Sequence, residues 1–420
     1  MTVGMGRSER SRKSGAFKQR LISTLAVVGV VSAGLVSTAP SAVAADVQSK
    51  QWYLDAMHAK EMWKTVTGEG IKVAVIDTGV NPSTPSLKGQ ILKGMDATGA
   101  TGDETDDYRG HGTTMAELIA GTGNGGGLKG LAPGAKIIPM RITDTQFQDE
   151  HSVNAHDSED AIRAAADSGA QIISMSFASD FPSAEEREAV KYAQNKGKLF
   201  FAGVGNNAEK DNKEQFPASY PEVVGVAATD RNSKVSAYSQ HGAIVDIAAP
   251  GDDIPRWCDE KFENYCYEDG GTSAATAIAS ASAALIWSAH PDWTANQVLR
   301  VLLDTAGRGD WEKGTLSNYL GHGVVRPAVN ILRGKGDPGA PDVSPLTDEK
   351  TTSGSSAVPT ASASASSQPP QKKNADAAVV TGSAEKPGED SQVGLILGVA
   401  AGVVVLGAAA FVLVRRRRGV

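Results

Sequence analysis

Short apolar runs rich in β-branched residues alternate with segments of helical periodicity. This alternation predicts an α/β fold with a mostly parallel sheet and helices on both faces. The predicted strands cover residues 72–77, 136–141, 171–176, 198–202 and 223–227, and the predicted helices cover residues 113–120, 158–168, 184–196 and 273–288. In such a sheet, functional residues gather at the carboxyl ends of the strands.

The first 45 residues have the layout of a secretory signal peptide. Basic side chains are frequent over residues 7–20, an apolar run follows over residues 21–35, and Ala42-Val43-Ala44 is a small-x-small cleavage site. An uncleaved N-terminal anchor is the alternative, but the apolar run is short for a membrane span. We therefore expect residues 1–45 to direct the export of a single folded domain at residues 46–333.

The composition changes after residue 333. Residues 334–392 are rich in Pro, Ser and Ala and are predicted to be a disordered linker. Residues 393–414 form an uncharged apolar run that, as a helix, is long enough for a hydrocarbon core of about 30 Å. Four arginines follow at residues 415–418 in the basic tail at residues 415–420, and such clusters stay in the cytoplasm. The pattern predicts one transmembrane helix, with the body outside and the C-terminus inside.

The formal net charge of -7 argues against nucleic acid as a partner, because phosphate binding needs clustered Lys and Arg. Residues 121–126 fit G-x-G-x-x-G by letter, but they follow a predicted helix instead of a strand, so nucleotide binding is not expected. Acidic clusters at residues 103–107 and 149–160 could bind calcium, but solvated loops and a helix N-terminus explain them better. No metal or other cofactor is expected.

The two cysteines, Cys258 and Cys266, both lie in the portion predicted to be exported. An oxidising compartment favours a disulfide between them. On the chain-entropy model, closing so short a loop stabilises the fold by about 2–3 kcal/mol. Because no histidine lies close to this pair in the sequence, a structural zinc site is not expected.

Three polar residues stand where acyl-transfer chemistry needs them. Asp77 ends an apolar run, His111 lies between glycines, and Ser273 opens an apolar helical run after two glycines. A serine hydroxyl needs an imidazole to take its proton, and the imidazole needs a carboxylate to hold its tautomer. Taken singly, Ser273 could be a helix N-cap and Asp77 a turn-capping carboxylate. Together they predict a catalytic triad.

The phrases Val-Ile-Asp-Thr-Gly, His-Gly-Thr and Gly-Thr-Ser-Ala-Ala-Thr-Ala, in this order, resemble the subtilisin family of serine proteases. The resemblance covers about residues 52–332. It implies that the side chain of Asn206 and the backbone N–H of Ser273 stabilise the oxyanion, with Asn207 as the alternative side-chain donor.

The resemblance also implies that four residues bind the substrate: Ser176, Phe177, Ala178 and Gly205. Three residues depart from the family pattern. Gly270 replaces a common Ser, Ala277 replaces a Pro, and Ala178 replaces a Gly. We expect local rigidity and the primary pocket to change more than the chemistry.

A signal peptide, no sizeable pro-domain, a cysteine pair, a linker, one membrane span and a basic tail together resemble the mycosins. These are membrane-anchored subtilases associated with type VII secretion. The resemblance implies an endopeptidase that acts on protein or peptide substrates beside an export channel. Two alternatives are a structural partner that braces a secretion complex with slow proteolysis, and a general extracellular protease.

Overall fold

The computed structural model describes residues 44–144, 147–148, 157–259, 261–267, 270–312 and 314–351. The strands of the main sheet are β1 (Lys72–Asp77), β2 (Met95–Asp96), β3 (Lys136–Arg141), β4 (Ile172–Met175), β5 (Leu199–Gly203), β6 (Val224–Thr229) and β7 (Ile247–Pro250). Their order is β2-β3-β1-β4-β5-β6-β7, and every neighbouring pair is parallel. The predicted α/β class is confirmed. Strands β2 and β7 are not among those predicted from the sequence.

Helices connect the strands. They are α1 (Ala44–Ser49), α2 (Trp52–Ala56), α3 (Ala59–Met62), α4 (His111–Ala120), α5 (Ser158–Asp167), α6 (Ala184–Asn195), α7 (Thr272–Ala289), α8 (Ala295–Asp304) and α9 (Pro327–Arg333). All four predicted helices are present. The predicted helix at residues 113–120 begins two residues earlier, at His111.

Alternate residues of β1 point to opposite layers of the molecule. Val73 and Val75 belong to the apolar cluster that includes α4, α7 and α8, whereas Ala74 and Ile76 belong to the cluster that includes α5 and α6. A strand that is buried on both faces needs apolar residues at successive positions, and β1 has them. Helices therefore cover both faces of the sheet, as predicted.

The helix α7 passes through the centre of one helical layer. Among the described residues it is the one helix long and apolar enough to cross a membrane, but 83% of its most apolar window is buried inside the body. It packs against α4, the other helix that begins near the carboxyl ends of the strands. Residues 1–43 of the predicted signal peptide, which covers residues 1–45, lie outside the described residues. So does the predicted membrane helix at residues 393–414.

Residues 334–351, which the sequence analysis assigns to the linker, pack on the body. The Arg300 guanidinium donates a 2.8 Å hydrogen bond to the Val343 carbonyl. The Asn296 amide donates to the Pro341 carbonyl at 3.0 Å, and Leu346 lies against the main apolar cluster. The folded body therefore continues to residue 351, and the boundary expected at residue 333 is wrong. Composition alone misses this because the segment is held by backbone carbonyls, which every residue carries.

Candidate active site

The carboxyl end of β1 and the first residue of α4 meet in a hydrogen bond. Asp77 Oδ1 lies 2.7 Å from His111 Nδ1. The Asp77 side chain is 2% exposed, whereas that of His111 is 36% exposed and lines a cleft. A carboxylate at Nδ1 favours the tautomer with its proton there, which leaves Nε2 as a proton acceptor. The geometry suits His111 to act as a general base.

Two opposing influences set the pKa of His111. Burial is the largest single influence and lowers it, but the negative charges of Asp77 and Asp107 and the hydrogen bond to Asp77 together outweigh burial. The pKa is therefore raised above its ordinary value of 6.5. An imidazolium is stabilised beside a carboxylate, which is what a base that gains a proton during the reaction requires.

Ser273 lies in the first turn of α7, and Asn206 lies just beyond β5. The two approach each other around Gly271. The Thr272 N–H donates to Asn206 Oδ1 at 2.8 Å, which fixes the amide. A Cβ on Gly271 would lie 3.5 Å from Asn206 Nδ2 and 3.8 Å from the Ser273 backbone nitrogen. The Asn206 amide nitrogen and the Ser273 backbone nitrogen therefore both border the space that glycine leaves open.

Asn207, the alternative donor, has a different setting. Its backbone N–H donates to Gln240 Oε1 at 2.9 Å, whereas Asn206 contacts the start of α7 through its side chain; both asparagines are exposed. Gly205 is buried behind Asn206, and its N–H donates to Thr272 Oγ1 at 3.2 Å. Gly205 therefore contacts the start of α7; like Asn206 and Ser273, it is not among the residues that line the cleft beside His111.

Two members of the predicted triad lie on helices that pack together. His111 begins α4, Ser273 lies in the first turn of α7, and these helices are in contact. Among the described residues, Asp77 and His111 are hydrogen-bonded, but no hydrogen bond joins His111 Nε2 to Ser273 Oγ. Catalytic hydrogen bonds without substrate are often long and shorten in the complex.

A cleft of about 670 Å³ opens beside His111. The predicted substrate-binding residues Ser176, Phe177 and Ala178 form one wall, together with Asp77 and His111. At the rim, the Phe181 side chain is 79% exposed. An exposed aromatic ring therefore borders the cleft, where it can contact a bound ligand.

Gly270 and Ala277, which depart from the family pattern, both occupy confined positions. A Cβ on Gly270 would collide with the Gly251 carbonyl oxygen and lie 2.7 Å from the Tyr238 hydroxyl. Ala277 is fully buried within α7. The body in this chain therefore has no room for the serine that the family commonly has at position 270.

Cys258 and Cys266 form a disulfide with a Cα–Cα distance of 5.2 Å. The bond closes an antiparallel hairpin made of β8 (Arg256–Trp257) and β9 (Tyr265–Cys266), whose pairs are Arg256 with Cys266 and Trp257 with Tyr265. This hairpin packs on α4. Within the described ranges, no group of three or more His, Cys, Asp or Glu side chains could hold a metal ion.

Sequence reasoning missed Asp107, which it placed in a solvated acidic loop. Asp107 is 7% exposed and accepts hydrogen bonds from the Thr113 N–H at 2.8 Å and the Gly110 N–H at 2.9 Å. The Thr78 hydroxyl donates to it at 2.8 Å. Burial raises the pKa of Asp107, against the hydrogen bonds from Thr113, Arg109 and Thr78.

Asp107 therefore caps α4 and ties the loop after Asp77 to it. An aspartate just before a helix start is the signal that could have identified this role. The same acidic cluster contains Glu104, which is 5% exposed and pairs with Lys93 at 3.0 Å. The expectation of a solvated loop is wrong at both positions.

A carboxylate on a β-strand end, a histidine and a serine at helix starts, and paired donors beside the serine define the class of serine peptidases. Residues 68–323, more than half of the chain, match Peptidase S8, the subtilase family. The chain belongs to this family of serine endopeptidases. Thermitase from Thermoactinomyces vulgaris is 33% identical over 279 residues, which cover 64% of this chain and 95% of thermitase.

Solved structures extend the similarity to the mycosins. MycP1 from Mycobacterium smegmatis has a TM-score of 0.59 at 26% identity, covering 73% of this chain and 89% of MycP1. The MycP3 protease from the type VII (ESX-3) secretion system has a TM-score of 0.57 at 29% identity, covering 70% of this chain and 90% of MycP3. The chain is thus a subtilisin-like serine protease related to mycosins.

Glu117 is a second functional candidate that sequence reasoning missed. It lies in α4 and is fully buried. Its carboxyl group accepts hydrogen bonds from the Thr84 hydroxyl at 2.8 Å and the Tyr265 hydroxyl at 2.9 Å. Burial raises its pKa from 4.5 to about 7, and hydrogen bonding to the carboxyl group only partly opposes this shift. A lone glutamate inside an otherwise uncharged helix pattern is the signal that the sequence offered.

Replacing Glu117 with Gln should change how stability depends on pH. Because the folded state binds the proton more tightly than the unfolded chain, the Glu117 contribution is complete below pH 4.5 and is lost as the pH rises through about 7. Between these limits the wild-type free energy of unfolding should fall, relative to Glu117→Gln, by on the order of 3 kcal/mol. Urea unfolding at pH 4.5, 6 and 8 measures this difference.

The control is Glu61→Gln, because Glu61 is an exposed glutamate on α3. Its unfolding free energy should follow that of the wild type at each pH. Parallel pH profiles for the wild type and Glu117→Gln would contradict the expected burial effect.

Proposed function

We propose that this chain is a membrane-tethered endopeptidase whose triad is Asp77, His111 and Ser273. The observation that carries the proposal is the hydrogen bond of 2.7 Å between Asp77 and His111, facing a cleft. The donors around Gly271 and the membership of the subtilase family add support. Substrates are proteins or peptides, bound in extended form along Ser176, Phe177 and Ala178.

In the proposed reaction, Ser273 Oγ attacks the peptide carbonyl carbon while its proton passes to His111 Nε2. Asp77 holds the Nδ1 proton and stabilises the imidazolium. The Asn206 amide and the Ser273 backbone N–H donate to the oxyanion. His111 then protonates the leaving amine, and a water molecule repeats the sequence on the acyl-enzyme, which restores the serine.

We also propose that the protease works beside a type VII secretion channel. The support is the similarity to MycP1 and MycP3, which belong to type VII systems. In this arrangement the body lies outside the membrane, residues 393–414 span it, and the C-terminus is cytoplasmic. A structural partner with slow proteolysis is the competing function, because assembly contacts need no triad.

Replacing Ser273 with Ala separates the enzyme from the structural partner. A fluorophosphonate probe should label the wild-type serine and fail to label Ser273→Ala, because the probe requires an activated hydroxyl. Peptide cleavage should fall by at least about 10⁴-fold. Labelling is read by in-gel fluorescence, and cleavage by mass spectrometry of a peptide library. If the wild type is neither labelled nor active while secretion needs the protein, the structural role is correct.

Asn206 and Asn207 provide a matched pair for the oxyanion role. Asn206→Ala should lower kcat by about 10²–10³-fold with little change in KM, a range set by an oxyanion donor in a subtilisin, a relative of this chain. Asn207→Ala should stay within about twofold of the wild type, because its N–H contact with Gln240 involves the backbone. Steady-state kinetics on one peptide substrate give both values. Equal losses in the two variants would contradict the assignment.

Removing residues 393–420 should release the protein from the membrane. A run of this length is expected to anchor the chain firmly in the bilayer. Cell fractionation followed by alkaline extraction measures the attachment. A deletion of residues 352–392 keeps the run and should stay in the membrane fraction. Retention of the chain that ends at residue 392 would contradict the proposed tether.

A further inference from the structure

The disulfide hairpin touches the helix that carries His111 at its first turn. The Trp257 backbone N–H donates a 3.1 Å hydrogen bond to Thr114 Oγ1, and that hydroxyl donates to the Gly110 carbonyl at 2.7 Å. A Cβ on Gly110 would lie 3.1 Å from the Trp257 Cβ and from the Asp259 carbonyl oxygen. The residue directly before His111 is therefore enclosed by the hairpin.

A second attachment lies about one turn further along α4. Tyr265, on the other strand of the hairpin, donates its hydroxyl proton to Glu117 Oε2 at 2.9 Å. The Tyr265 ring stacks on Trp257 with a centroid distance of 3.8 Å. Thr84 donates to the other oxygen of Glu117 and links the loop after β1 to the same carboxyl group. The two strands of the hairpin thus hold α4 at Thr114 and at Glu117.

A buried carboxyl group is costly in an otherwise apolar helix. Burying it without partners costs several kcal/mol, and even with hydrogen bonds an apolar residue of similar size often gives equal or greater stability. Hydrogen bonds, unlike apolar contacts, fix distance and direction. The network at Glu117 therefore fixes the position of α4 more sharply than an apolar contact would.

We propose that the disulfide-closed hairpin positions His111, with Glu117 and Tyr265 as the positioning residues. The inference rests on the proposed function, because it concerns the proposed general base. Asp77 holds the imidazole from one side, and the hairpin holds the helix that carries it. Since a displacement of about 1 Å at a catalytic group can cost about 10²-fold in rate, this support bears directly on turnover.

The disulfide has a clear part in this arrangement. The hairpin has two residues in each strand, and so small a two-stranded unit is marginal in water. Cys258 and Cys266 close it covalently next to Trp257 and Tyr265. The cross-link therefore keeps the Trp257 backbone N–H and the Tyr265 hydroxyl facing α4.

Tyr265→Phe tests the inference, with Tyr267→Phe as its control. Both changes remove one phenol oxygen from the same hairpin, but the Tyr267 ring is 36% exposed and packs against Lys50. In the full-length protein, Tyr265→Phe should lower kcat about tenfold and leave KM within about twofold. Tyr267→Phe should match the wild type. Kinetics are measured at a temperature where near-UV circular dichroism shows each variant folded.

Glu117 provides a rescue test. Glu117→Leu removes the acceptors and should lower kcat as Tyr265→Phe does. Glu117→Gln keeps an acceptor and a donor for the two hydroxyl groups, so its kcat should stay within about threefold of the wild type. The double variant Cys258→Ser/Cys266→Ser should lose kcat to a similar extent as Tyr265→Phe. If folded Tyr265→Phe and Glu117→Leu both keep wild-type kcat, the inference is wrong.

A spectroscopic readout separates this inference from the proposed function. The proton between His111 Nδ1 and Asp77, whose heavy atoms lie 2.7 Å apart, should give a low-field NMR resonance that does not depend on Ser273. That resonance should shift or broaden in Tyr265→Phe and Glu117→Leu and stay unchanged in Tyr267→Phe. An unchanged resonance in the first two variants would overturn the inference. A wild type that shows the resonance but lacks Ser273-dependent labelling would overturn the proposed function alone.

Discussion

The site depends on the close approach between the end of β1 and the start of α4. Asp77 and His111 come within 2.7 Å because the residue after the histidine is a glycine. A Cβ on Gly112 would lie 3.0 Å from the Asp77 Cβ and collide with the Gly79 carbonyl oxygen. A larger residue there would push the helix away from the strand. A glycine at position 112 is therefore required for the hydrogen bond between Asp77 and His111 that the proposed chemistry needs.

Buried acids surround this approach and hold it in place. Asp107 caps α4 and bonds to Thr78, next to Asp77. Glu117 joins the same helix to the disulfide hairpin. Each of these carboxyl groups is costly to bury, yet each makes hydrogen bonds that fix distance and direction. The helix is therefore held from the strand side by Asp107 and from the hairpin side by Glu117.

The second half of the site is assembled by α7. Its first turn brings Thr272 against Asn206 and Gly205, while its apolar length fills the core behind the sheet. One helix thus provides much of the packing and also places Ser273. The departures at Gly270 and Ala277 sit in this same region, and both fit positions without spare room. The two residues that depart from the family pattern therefore fit the packing around the start of α7.

The sequence by itself determined the α/β class and five of the seven strands described in the main sheet, because strand and helix periodicity are local properties. It also identified Asp77, His111, Asn206 and Ser273 as candidates, since their motifs are short and contiguous. The tertiary structure alone decided the roles of Asp107 and Glu117 and the packing of residues 334–351. Their partners are distant in the chain, as with Glu117 and Tyr265, so local signals can mark these acids as unusual but cannot identify the groups that bind them.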